Sequence, residues 1–188
     1  MREKALEFLK QTQKTLAGLD GLVDSVAALA EKIKASIEKG GKLIAFGNGG
    51  SAADAQHLVA EMVVRFEKDR RSLPAVALTT NTSTLTACAN DYGFENVFSR
   101  QIESLADKKD VVLAISTSGV SPNVIKGAEE AKKKGAFVAG LTGRDGGKLK
   151  GLCDLCIIVK SRKTADIQVA HIALIHILCL VLENEFVK

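Results

Sequence analysis

Two histidines, a carboxylate and an amide stand on two stretches with helical patterning. His57 and Glu61 are four residues apart and share a helix face. Arg65 continues that row one turn on. Gln168 and His176 lie on a later helix, turned about 80° and ~12 Å apart along its axis. Long side chains from both can reach a ligand between them. Nitrogen and oxygen donors of these kinds suit zinc. A carboxylate beside an imidazole also suits proton transfer. The plainer readings are a surface contact for His57 with Glu61 and a core histidine for His176. His171, about 140° round the helix from His176, reads as a packing or surface residue.

Two loops carry phosphate-binding features. Gly47-Asn48-Gly49-Gly50-Ser51 joins an apolar strand to the His57 helix. Its glycines permit close backbone approach, and Ser51 reads as the helix N-cap, with Asp54 as capping-box partner. Free N–H groups at such a helix start attract anions. The loop is neither a dinucleotide fingerprint nor a P-loop. The second loop, Ser116-Thr117-Ser118-Gly119-Val120-Ser121-Pro122-Asn123, places four hydroxyls ahead of a helix with Pro122 in its first turn. One N-cap serine explains one hydroxyl; four, with backbone N–H groups, can ring a phosphate.

The elements that position these residues alternate. Two helices fill residues 1–40. Apolar strands follow at Leu43–Phe46, Ala75–Leu78, Val111–Ile115, Phe137–Leu141 and Ile157–Val159. Helices are expected from Ser51 to about Lys68, at Thr82–Ala89, Phe94–Leu105 and Asn123–Lys134, and from Thr164 to about Glu185. Continuously apolar strands separated by helices predict a doubly wound parallel sheet in a three-layer α/β/α sandwich. The helix pair at 1–40 precedes a single globular unit at 41–188. Ligands of such folds bind beyond the carboxyl ends of the strands, where both loops lie.

Composition narrows the function classes. The chain has 188 residues, 46% of them hydrophobic, which is ample for a core. The net charge is +4 with the signs interspersed, and Trp 0 with Tyr 1 leaves no base-stacking platform, so nucleic acid is not an expected partner. No stretch reads as a membrane span or a signal-peptide core, which predicts a cytoplasmic protein. Cys153 and Cys156 form a lone C-x-x-C pair and read as part of a buried strand and its lead-in.

Together these segments resemble the single-SIS-domain phosphoheptose isomerases. The resemblance rests on GNGGSAADAQHLVAEMVVRF, ALTTNTSTLTACANDYGFENVFSRQI, DVVLAISTSGVSPNVIKG, GLTGRDGGKL and ADIQVAHIALIHIL, and covers nearly the whole chain. It implies conversion of sedoheptulose 7-phosphate to D-glycero-D-manno-heptose 7-phosphate through an enediol, for nucleotide-heptose and surface-glycan synthesis. It further implies a cytoplasmic homotetramer with active sites at subunit interfaces and one zinc per subunit. By the same resemblance Ser116, Thr117, Ser118 and Ser121 hold the phosphate. Asn48, Gly49, Gly50, Ser51, Arg65, Asn90 and Asp91 line the substrate site. His57, Glu61, Gln168 and His176 match the metal positions, Glu61 and His176 the acid–base pair, and Gln168 a substrate contact. One position departs: Asp166 stands where the family usually carries arginine, two residues before the glutamine. Arg65, Arg162 or Lys163 could substitute for it.

Two other readings share the pattern. SIS proteins that bind the replication initiator DnaA typically lack counterparts of Glu61 and His176, and this chain has both. Isomerases of shorter sugar phosphates share the fold and are separated by substrate length.

Overall fold

The computed structural model describes residues 1–187. The helices are α1 (Arg2–Ala17), α2 (Val23–Glu38), α3 (Gly50–Val63), α4 (Thr82–Tyr92), α5 (Ser99–Leu105), α6 (Pro122–Lys133), α7 (Gly147–Lys150) and α8 (Thr164–Phe186). The strands are β1 (Leu43–Gly47), β2 (Ala75–Ala77), β3 (Val111–Ser116), β4 (Phe137–Gly143) and β5 (Leu155–Val159). All four strand pairings are parallel, in the order β2-β1-β3-β4-β5.

The central strands are buried on both faces, which is why they read as unbroken apolar runs. Their side chains alternate between two cores. Leu43, Ala45, Leu113, Ile115 and Leu141 join the buried faces of α2, α3 and α8. Ile44, Phe46, Val112, Ala114 and Val138 pack with Phe98, Ile102, Val124 and Ala128 on the other side. The result is the expected three-layer sandwich. Thus α2 is built into the first core, while residues 2–10 of α1 are exposed.

The chain leaves β1 to form β2 on one side and returns to form β3 on the other. The crevice between the carboxyl ends of β1 and β3 is therefore the topological switch point. The loops after these two strands carry the glycine-rich and the serine-rich segments.

Among the described residues, α8 alone is long and apolar enough to cross a bilayer, contrary to the sequence reading. Its contacts with α1, α2, α3, β4 and β5 bury half of that apolar stretch, as expected of a core helix packed on several sides.

Candidate active site

The start of α3 differs from expectation. Gly49, not Ser51, is the N-cap, at φ 54° and ψ −120°. A side chain there would be strained, so glycine is required. Ser51 instead lies inside the first turn and is buried, and its N–H donates to the Asn48 carbonyl at 3.0 Å. Asn48 reaches across to α6. Its amide and that of Asn123 exchange two hydrogen bonds of 2.8 Å each. Asn123 is buried and also accepts the Val124 N–H, 3.0 Å. Sequence reasoning overlooked Asn123; its only local signal is an amide next to Pro122 at a helix start.

The serine loop is partly self-held. Ser116 Oγ accepts the Gly119 N–H at 3.1 Å and lies 3.3 Å from Ser121 Oγ. Ser118 Oγ accepts the Val120 N–H, 3.3 Å. Ser121 is the N-cap of α6, yet its hydroxyl makes no capping bond, and Pro122 begins the helix. That leaves hydroxyl and N–H donors at the helix start for an anion.

The two helices α3 and α8 bring the chemistry together. His57 Nε2 lies 3.3 Å from Glu61 Oε1, and 3.1 Å from His176 Nε2 on α8. The Phe66 ring packs beside His176, with centroids 5.5 Å apart. Gln168, two turns before His176, lies with its amide against Gly50. Asn90 and Asp91 bond each other on the exposed last turn of α4, 2.8 Å. Among the described residues neither makes a hydrogen bond or ion pair with the His57 group or the serine loop.

Arg65 does not continue the α3 row. The helix stops at Val63, short of Lys68, and Arg65 bonds the Glu67 carbonyl in its own loop, 3.1 Å. The cause is a buried clamp. Glu183 of α8 accepts the N–H groups of Phe66, Glu67 and Lys68 at 3.0, 2.9 and 2.8 Å. Arg70 donates to the carbonyls of Glu61 and Met62, 2.7 and 2.9 Å. Side chains thus satisfy the helix end that another turn would otherwise have to satisfy. Burial alone would raise the Glu183 carboxyl; the three N–H donors and Arg70 outweigh it and hold it below its ordinary value.

Two other buried polar groups flank these residues. His171 is fully buried and its Nε2 lies 3.1 Å from the Thr142 carbonyl. A carbonyl only accepts, so Nε2 carries the proton and Nδ1 is bare and unpartnered. Burial lowers its pKa to about 4, the Thr142 bond opposing. Asp54 on α3 is pushed up to about 6 by burial, against the pull of His57.

Two imidazole nitrogens and a carboxylate oxygen form a donor set suited to zinc. Their spacings of 3.1 and 3.3 Å match the ~3.3 Å edge of a tetrahedron with bonds of about 2.0–2.1 Å. As placed, Glu61 and His176 each meet His57 but not one another. No three His, Cys, Asp or Glu side chains surround one point among the described residues. The set fits the metal in kind and in two of its edges, and the third edge needs a side-chain turn.

The SIS domain model matches residues 7–143. A probable phosphoheptose isomerase from Thermoplasma acidophilum is 48% identical over 97% of this chain and 99% of its own. The chain belongs to the phosphoheptose isomerase family. A Nitratiruptor phosphoheptose isomerase is 58% identical over 77% of this chain and 78% of its own length. The structure of phosphoheptose isomerase GmhA from Neisseria gonorrhoeae superimposes with a TM-score of 0.92 at 41% identity, covering 97% of this chain and 98% of that one.

Proposed function

We propose that the chain is an aldose–ketose isomerase that converts sedoheptulose 7-phosphate to D-glycero-D-manno-heptose 7-phosphate through an enediol. The observation that carries this is the contact of His57 with both Glu61 and His176, which sets a carboxylate and an imidazole from two helices at one site. The serine loop supports it by offering a phosphate anchor at the switch point.

The reaction moves two protons without net change. The Glu61 carboxylate takes a proton from C1 of the ketose, and His176 donates one to the oxygen on C2, giving the enediol. Glu61 then returns its proton to C2, and His176 recovers one from the oxygen on C1, leaving the aldehyde. His57 Nε2 orients both partners. Hydroxyls and N–H groups of Ser116, Thr117, Ser118 and Ser121 hold the phosphate, and Asn48, Gly49, Gly50, Ser51 and Gln168 face the sugar. His171, buried and neutral, serves packing.

His57, Glu61 and His176, with Gln168, would hold one zinc ion, with Glu61 keeping one carboxylate oxygen as the base and His176 its second ring nitrogen as the acid. Bound there, zinc would polarise the sugar oxygens and stabilise charge on the enediolate. We further assign a homotetramer acting in the cytoplasm, with Asn90, Asp91 and Arg65 serving a site shared between subunits. Phe8 and Leu9, about half exposed on α1, supply apolar surface for such packing.

Turnover of sedoheptulose 7-phosphate in deuterated water tests the reaction. Deuterium at C2 of the product is expected, with loss of turnover on chelation and recovery on adding zinc. Turnover that survives exhaustive chelation removes the metal from the proposal. Equal or better turnover on a five- or six-carbon ketose phosphate overturns the heptose assignment. Light scattering at the mass of one chain removes the tetramer.

A further inference from the structure

The loop after β4 closes on the serine loop backbone to backbone. A Cβ on Gly119 would overlap the Gly146 carbonyl, and one on Gly147 would lie 2.6 Å from the Gly119 oxygen and 2.8 Å from that of Ser118. The Leu149 N–H donates to the Gly119 carbonyl, 3.0 Å. The two loops form one wall. A cleft of about 800 Å³ opens along it, lined by Ser118, by Arg144 and Asp145 after β4, and by Lys160 and Arg162 after β5.

Three features of this cleft stand outside the proton-transfer scheme above. Among the described residues none of its three cations enters an ion pair. Its one carboxylate, Asp145, accepts the Gly147 N–H at 3.1 Å. Arg144 is the one described non-glycine residue at positive φ, 59°, and its N–H is tied to the Ser161 carbonyl at 3.0 Å. Backbone held in that region is costly and collects at functional sites. Here it ties the β4 and β5 loops together and sets the guanidinium at the cleft.

The serine loop offers hydroxyls and N–H groups, which suit one phosphoryl group, but no cation. Arg144, Lys160 and Arg162 outnumber the cleft's one carboxylate, Asp145, so its lining carries a net positive charge that attracts an anion. We propose that the cleft is a second phosphoryl subsite continuous with the serine loop, and that the protein binds diphosphates there. One phosphoryl group occupies Ser116–Ser121, and the next lies among Arg144, Lys160 and Arg162. This rests on the reading of the serine loop as a phosphate site. A diphosphate so bound excludes the phosphosugar and is therefore an inhibitor.

The probes are inorganic phosphate and pyrophosphate, measured by calorimetry and as inhibitors of the zinc-supplied protein. Pyrophosphate should bind about tenfold tighter than phosphate or better, and compete with sedoheptulose 7-phosphate. Pyrophosphate also binds metal ions, so the decisive comparison is between variants. Arg144→Asn with Lys160→Gln should erase the advantage and leave phosphate affinity intact; asparagine tolerates the backbone at 144. Arg144→Lys should keep most of it. Phosphate that competes while pyrophosphate gains nothing overturns the second subsite alone, as does an advantage that survives in the double variant. Phosphate that fails to compete overturns the serine-loop reading instead.

Discussion

Asn48 and Asn123 lock the glycine-rich and serine-rich loops together, each amide donating to the other at 2.8 Å. One stands in the glycine-rich loop after β1 and the other in the first turn of α6. Beyond the β1–β3 pairing, this reciprocal pair fixes the distance between the two loops. Asn123→Ala should raise KM for the phosphosugar by roughly tenfold, the worth of one to two lost hydrogen bonds. The fall in kcat should be smaller. Initial-rate kinetics decide; an unchanged KM means that the pair does not set the spacing.

Glu61→Gln keeps the shape of the side chain and removes its basicity. Isomerisation should fall by about 10²–10⁴-fold, the usual worth of a general base. Thermal unfolding should be nearly unchanged, since Glu61 is only half-buried. His176→Ala should lose activity on the same scale. Full turnover by either variant would leave the enediol scheme without its base or its acid.

The Glu183 clamp ties α8 to the loop that ends α3. Glu183→Ala leaves three N–H groups without their acceptor and takes from Arg70 the counter-charge 3.8 Å from its Nε. Breaking a buried pair of this kind costs about 3–5 kcal/mol. Urea unfolding should show that loss, and activity should fall as well, because Phe66 beside His176 is carried by the freed loop. Stability within about 0.5 kcal/mol of the parent, the usual range for a neutral surface change, would show that water replaces the clamp.

Two groups oppose each other in acid. His171 is held at about 4 against 6.5 unfolded. The unfolded chain binds its proton first, so this histidine withdraws roughly 3 kcal/mol as pH falls from 6.5 to 4. Asp54 is raised from 3.8 to about 6, so the folded chain takes up its proton first and gains stability as pH falls from 6 towards 4. The two slopes offset in that window. Asp54→Asn removes the gain and exposes the loss, so its stability should drop more steeply between pH 6 and 4 than the parent's. Parallel curves for the two proteins would dismiss the opposition.

Local pattern carried the layers well. Val111–Ile115 and Leu43–Phe46 are apolar throughout because both faces of those strands are covered, and that signal is written in the strands themselves. The end of α3 was not legible, because Glu183, which satisfies Phe66, lies 117 residues further along. Ser51 obeyed the local preference for a capping serine, yet Gly49 won because the loop needs a backbone that only glycine adopts freely. Asn123 was passed over for a similar reason. Its partner lies 75 residues away, so nothing near it in the sequence announces the bond. The His57 and Glu61 pairing needed only helix spacing, whereas the meeting of His57 with His176 needed the packing of α3 on α8.

The contact between Gly119 and Gly147 also constrains how the sequence can drift. A clash between two side chains can be repaired by shrinking either one. Here the obstacles to a new Cβ are main-chain oxygens, which no substitution removes. Neither position has a compensating change elsewhere, so each must stay glycine independently of the other. Variation along this wall must then come from the side chains mounted on it, with the backbone contact itself kept as it is.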